Sequence, residues 1–306
     1  MSDKRLRIEA NREAALARKR QRVVMNRLNP LGVLENARDV DLALGACLNE
    51  HARTEISGPP SSGKTILAAT IAANALRRKS RADVLFIETS GPHPHRLCLK
   101  IASSFLSVHS IQHRILSTSA LDLEPLIYIL SQQVSHHCRT RQVALVILDS
   151  VGDILRPIRT HDAAKRRLMT AITQCPAPIL FTNHISANFS SALKFAPTTS
   201  CNESLIAKIA NIRLTLSSQR IYSTSSGEKA KLCRTLFVTA LPLHIKALVL
   251  NERQMLHQDD ELSHSSNNEI PSAQFDISNF GIVSALDPAS SSSSSSSSGD
   301  SSSVSP

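Results

Sequence analysis

The most specific chemical signal in this sequence is a run of eight residues, Gly58, Pro59, Pro60, Ser61, Ser62, Gly63, Lys64 and Thr65. A loop that wraps a polyphosphate must turn its backbone N–H groups inward, and glycines at fixed places permit φ values and a close approach that a side chain would block. Gly58 and Gly63 hold those places. Lys64 is then spaced to reach the β and γ phosphates, and Thr65 to offer a hydroxyl to Mg2+. The pattern GxxxxGK[ST] therefore predicts ATP and Mg2+ as ligands of these eight residues. Further along, LVILD at 145–149 delivers a carboxylate, Asp149, at the end of an apolar run, where it can hold the water shell of the metal ion. Asp153 falls outside that run and reads as a surface or cap residue.

Such a cradle works between a strand and a helix, whose N-terminal end directs partial positive charge at the anion. TEIS (54–57) reads as the strand, and Thr65 to Lys79, rich in Ala and Leu, as the helix. Next come a strand at DVLFIE (83–88), a helix from His95 to Phe105, a short strand at RILS (114–117) and a helix from Leu121 to His137. QVALVILD (142–149) is a fully apolar strand, Asp162 to Gln174 a helix, and PILFT (178–182) another buried strand. Repeated βα units predict an α/β fold, a mostly parallel sheet covered by helices on both faces, with working loops at the strand C-termini. Ile209 to Leu216, Leu232 to Thr239 and Ala273 to Val283 read as an antiparallel β extension, with a polar loop at about 252–272.

A chain of 306 residues can hold one large α/β domain with appendages. Three parts are expected: a basic helical arm (1–28), an ATP-binding core (29–286) and a disordered Ser-rich tail (287–306). The net charge of +10 is concentrated in the arm, where nine Lys/Arg face three acids. The arm reads as a solvated basic helix, with phosphate contact or nuclear import through ARKRQR as the alternatives. Only 3% of residues are aromatic and none is Trp, which argues against base stacking as a main binding device. Six cysteines lie far apart without a CxxC pair, against a zinc or disulfide framework and in keeping with a reducing compartment. No apolar run approaches the roughly 20 residues of a membrane span, so no membrane partner is expected. The pairs His93/His95 and His136/His137 lack a third ligand at metal spacing and read as loop and helix-end residues.

Taken in order and spacing, TEISGPPSSGKT, VLFIETSG, LVILDSVGDIL and ILFTNHIS resemble the core of the RecA-type recombinases, especially the eukaryotic strand-exchange recombinase and its paralogues. TNHI at 182–185 looks like the delta-type paralogue, and CRTLFVTALP and FDISNFGIV are similar to the family's closing β segments. The likeness spans roughly residues 40–285. It implies a RecA-like ATP-binding core, DNA-contacting loops, assembly with related recombinase-family subunits, a nuclear location and a part in homologous-recombination DNA repair.

Position by position, the resemblance also implies a departure. The family carries an acidic residue two places after Glu88, and that carboxylate orients the attacking water; Ser90 stands there instead. A hydroxyl is a poor general base, so hydrolysis is expected to be weak or absent. Glu88 is the alternative carboxylate, on the right face of its strand but at the wrong depth. Arg96 matches the family's adenine-stacking arginine, or is a surface residue at a helix start. His184 stands where the strand-exchange enzymes have a Gln that senses the γ-phosphate; it either bonds phosphate or simply packs.

The DNA loops correspond to Arg156, Arg159, Lys165, Arg166 and Arg167, and to 186–204, where Lys194 is the only cation. This implies salt-dependent, sequence-independent contact with single-stranded or branched DNA, against the plain reading of a basic helix surface. The arm is too short to replace the helical DNA-binding domain of many relatives and lacks an FxxA-type segment, which favours a small complex over a long filament. Two other readings stand beside this one: an active DNA-dependent ATPase, and a P-loop small-molecule kinase, which would need a lid arginine cluster and an acceptor pocket.

Overall fold

The computed structural model describes residues 31–34, 37–89, 93–155, 162–186, 199–200, 203–221, 231–243, 245–247, 249, 271–278 and 281–284. The predicted arm and tail lie outside the described residues, as does the polar loop apart from Pro271 and Ser272. Helix α1 (Arg38–Ala46) leads into β1 (Arg53–Gly58), α2 (Lys64–Arg78), β2 (Asp83–Glu88), α3 (Pro94–Ala102), α4 (Val108–Ile111) and β3 (Ile115–Ser119). A helical run follows: α5 (Leu123–Tyr128), a π turn at Ile129–Gln133, and α6 (Val134–Thr140). The chain continues through β4 (Val143–Asp149), α7 (Val151–Leu155), α8 (Asp162–Gln174), β5 (Ile179–Ser186), β6 (Thr199–Ser200) and α9 (Glu203–Ile206). It closes with β7 (Ile212–Ile221), β8 (Lys231–Ala240), β9 (Ser272–Ser278) and β10 (Gly281–Ser284).

The strands lie in the order β10-β9-β8-β7-β1-β5-β4-β2-β3, with β6 paired to β5 off this path. From β7 to β3 all neighbours are parallel. From β7 to β10 they are antiparallel, as the C-terminal segments predict. Segment 273–283, read above as one strand, is a hairpin closed by the pairing of Ser278 with Gly281. Asn279 and Gly281 are turn-forming types, which a scan for apolar alternation passes over.

Why the central strands read as unbroken apolar runs is visible in β4. Leu145 and Ile147 join one core with Leu67, Ile71 and Phe86, while Val146 and Leu148 join the other with Leu130, Ile172 and Phe181. Both faces of the strand are covered, so neither can be polar. Helix α2 sits deep against the sheet because it presents Ala68, Ala69, Ala72, Ala73 and Ala75, all fully buried. Two of its buried polar side chains are satisfied within the helix: Thr70 Oγ1 donates to Ile66 O at 2.8 Å and Asn74 Nδ2 to Thr70 O at 2.9 Å. Ahead of the sheet, the buried Asp41 carboxylate accepts from the N–H groups of Gly32, Val33 and Leu34 and fixes the incoming chain. No helix among the described residues is long and apolar enough to cross a membrane.

Candidate nucleotide site

Strand β1 delivers the cradle at the C-terminal edge of the sheet. At Gly58 an added Cβ would lie 2.8 Å from Leu216 O on β7 and 2.8 Å from Ser62 Oγ, so only hydrogen fits. Ser61 has φ +61° and Gly63 φ +103°, immediately before α2 begins. The left-handed turn at Gly63 is costly for any side chain, and a Cβ there would also lie 3.2 Å from Ile277 Cδ1 on β9. Gly63→Ala is therefore expected to lower stability by about 1–2 kcal/mol, read as a fall in the urea midpoint at unchanged slope.

Three elements converge just past this turn. Thr65 Oγ1 from α2 donates to Asp149 Oδ2 at 2.9 Å, and Thr182 Oγ1 from β5 donates to Asp149 Oδ1 at the end of β4. The buried Lys64 ammonium donates to Gly58 O at 2.9 Å and Pro59 O at 2.8 Å. Burial lowers its pKa from the ordinary lysine value, with the charges of Asp149 and Asp153 opposing. Ser62 Oγ is buried and has no hydrogen-bond partner among the described residues. A cation met by two carbonyls, an orphaned hydroxyl and a helix N-terminus lie together, and this donor set fits a polyphosphate.

Several residues of the site were not legible as such. Asp153, read as a surface or cap residue, is brought back by the short helix α7. Its Oδ2 accepts from Ser150 Oγ at 2.9 Å and lies 3.6 Å from His184 Nε2. His184 thus faces a carboxylate, and its backbone N–H donates to Asn183 Oδ1 at 2.9 Å. Beneath them, the fully buried Glu55 on β1 accepts from Asn183 Nδ2 at 2.9 Å and from Arg213 Nε at 2.8 Å, tying β1 to both its neighbours. Gly152 permits the approach of α7 to β5, since a Cβ there would lie 2.8 Å from Asn183 Oδ1.

No family model matches the chain, and no curated protein does. Among solved structures, one described as the crystal structure of the RadB recombinase superposes with a TM-score of 0.56 at 16% identity, over 85% of this chain and 100% of that chain. The fold is that of the RecA-like recombinases. Its named example is a RadB recombinase rather than the delta-type paralogue that TNHI resembles, so that finer kinship rests on sequence alone.

Within the RecA-like fold, Glu88 ends β2 beside Asp149, its register partner on β4. Its carboxylate is engaged: Ser117 Oγ donates to Oε1 at 2.9 Å, His95 Nδ1 lies 2.5 Å from Oε1 and His93 Nδ1 3.2 Å from Oε2. Burial raises the Glu88 pKa, but the bonds from His95, Ser117 and His93 and the charge of His95 outweigh it, and the net shift is downward. This corrects the expectation that His93 and His95 lack a third ligand at metal spacing. His137, in the last turn of α6, lies with Nε2 2.9 Å from Asp83 Oδ2. Ser90, Arg156, Arg159 and Lys194 lie outside the described residues. Arg96 is exposed in the first turn of α3. On α8, Lys165 is half-buried and Arg166 exposed, while Arg167 makes a bidentate exposed pair with Glu124 at 2.6 and 2.9 Å. An exposed pair of this kind is worth about 0–1 kcal/mol and yields readily to a phosphate.

Proposed function

We propose that this chain is an ATP-binding recombinase paralogue of RecA-like fold that assists homologous-recombination DNA repair in the nucleus, assembling with related subunits and DNA while hydrolysing ATP slowly or not at all. The observation that carries the reading is the convergence of Lys64, Thr65 and Asp149 around a glycine-lined loop with an unpaired Ser62 hydroxyl. The backbone of 58–65 would hold the phosphates. Lys64 would exchange its two carbonyl acceptors for phosphate oxygens, and Thr65 and Asp149 would hold Mg2+, which neutralises phosphate charge. His184, through Asp153, would couple the nucleotide to the segment after β5. Lys165, Arg166 and Arg167, with Arg156, Arg159 and Lys194 from sequence, would supply the salt-dependent grip on DNA.

Slow turnover follows from the two candidate bases. Ser90 offers a hydroxyl, and Glu88 is held by three donors that make it a weaker base. Phosphate release, measured with and without single-stranded DNA, is expected to stay near background for the wild type. Ser90→Glu should raise it by about 10- to 100-fold, since a positioned base is commonly worth roughly 10² to 10⁴ in rate. Ready turnover that Ser90→Glu leaves unchanged and Glu88→Gln abolishes would instead make the protein an active DNA-dependent ATPase with Glu88 as base.

A further inference from the structure

The cluster on Glu88 has more than a hydrogen-bonding geometry. Glu88 closes β2, and the chain returns to it within seven residues: His93 occupies the cap position of α3 and His95 its first turn. The two imidazole centroids are 5.6 Å apart with ring planes at 60°, and both present Nδ1 to the same carboxylate. One ligand atom from each of the three residues lies within 4.8 Å of the others, and among the described residues no other group of three does so.

We infer that Glu88, His93 and His95 form a site for one divalent transition-metal ion of the Zn2+ class. Around a tetrahedral Zn2+, with Zn–N and Zn–O lengths of about 2.0–2.2 Å, ligand atoms are roughly 3.4 Å apart. The His93 contact, at 3.2 Å, is already close to that spacing. That contact is to Oε2, whereas His95 Nδ1 lies 2.5 Å from the other oxygen, Oε1, so a modest turn of the carboxylate and of a ring that is 28% exposed is needed to set one oxygen at the tetrahedral edge of both nitrogens. Each imidazole then binds through an unprotonated Nδ1 with its proton on Nε2: a neutral ring changes tautomer, and a charged ring releases its Nδ1 proton to solvent.

The surroundings suit this. Ser117 Oγ, on the neighbouring strand β3, donates to Glu88 Oε1 at 2.9 Å and orients the carboxylate from behind, as the outer partners of metal ligands do. Two imidazole nitrogens and one carboxylate select Zn2+, Co2+ or Ni2+ over Mg2+ and Ca2+, which require oxygen ligands. The fourth position is left to water. The ion would clip the end of β2 to the start of α3 and withdraw Glu88 from base chemistry. Its ligands are separate from Lys64, Thr65 and Asp149, so the inference stands or falls independently of the nucleotide reading.

The test uses the full chain, freed of metal by a chelator and titrated calorimetrically with Zn2+ alone, without nucleotide. One equivalent should bind with micromolar affinity or better. Glu88→Gln, His93→Ala and His95→Ala should each weaken it by about 100-fold. Co2+ in place of Zn2+ should give the intense visible absorption of a four-coordinate ion, unchanged by millimolar Mg2+. Absence of wild-type binding, displacement by Mg2+, or undiminished affinity in the His93/His95 double variant would overturn the inference. Should the buried Glu88→Gln chain fail to fold, His93→Gln decides, because that ring is 55% exposed and outside the core: wild-type Zn2+ affinity in that variant sinks the site.

Discussion

Lys64→Ala should weaken Mg-ATP binding by about 100-fold or more, because each hydrogen bond from an ammonium to a phosphate is worth about 1.5–3 kcal/mol and this side chain is spaced to reach two phosphates. Isothermal calorimetry on wild type and variant reads the difference directly. A second measurement separates binding from folding. Without nucleotide, Lys64 Nζ bonds the carbonyls of Gly58 and Pro59, so its loss also touches the unliganded loop. Pro59 O sits on a half-buried loop residue and can turn to water, but Gly58 O, at the buried end of β1, is left short of a donor, a cost of about 1–3 kcal/mol. The variant should therefore melt a few degrees below the wild type without nucleotide, and it should lose the upward shift in melting temperature that Mg-ATP gives the wild type. Equal shifts in both proteins would show that the ammonium does not touch the phosphates, and the nucleotide reading would lose its basis.

What could be read in advance follows a physical division. The strand ends at Glu88 and Asp149 and the span of α8 agree with the sequence reading, because apolar runs bounded by polar residues mark buried strands and Ala/Arg-rich periodicity marks a helix. The cradle was legible because the polyphosphate demands glycine at particular places, and Gly58 and Gly63 are held there by steric limits the sequence states openly. The segment 121–137 was read as one helix, since a widening to i+5 hydrogen bonds at Ile129–Gln133 has no compositional mark. Asp153 and the Glu88 cluster were missed for a different reason. Ser150, three residues before Asp153, fits the cap reading, but Asp153 meets His184 only when α7 packs against β5, and the Glu88 cluster forms only when the start of α3 returns to the end of β2. Charged residues in β1 were hidden likewise. RTEIS carries four polar residues to one apolar, as an exposed segment would, yet all six residues from Arg53 to Gly58 are buried because β1 lies between β5 and β7.

That burial makes Arg53 the residue with the largest expected effect on stability. It is 6% exposed, and its guanidinium lies among backbone carbonyls at the foot of the sheet. Nη1 donates to Ala52 O at 2.9 Å and Ala177 O at 3.2 Å, and Nη2 to Thr173 O at 3.0 Å and Cys175 O at 2.5 Å. The last three acceptors belong to the end of α8 and the turn into β5, so one side chain caps a helix and ties it to the strand that carries Thr182. Arg53→Ala removes four charge-assisted bonds and leaves buried acceptors short of donors, a loss of about 3–5 kcal/mol after partial rehydration. A falling urea midpoint at unchanged slope is the expected signature. Arg53→Met separates the two contributions: it restores the aliphatic stem but none of the donors, and should recover less than half of the loss. A midpoint equal to wild type in Arg53→Met would mean that packing alone holds this corner. With the donors gone, the turn that sets β5 against β1 loosens, and Thr182 loses its fixed approach to Asp149. Nucleotide affinity should then fall together with stability in Arg53→Ala, although the side chain lies at the opposite end of β1 from the cradle.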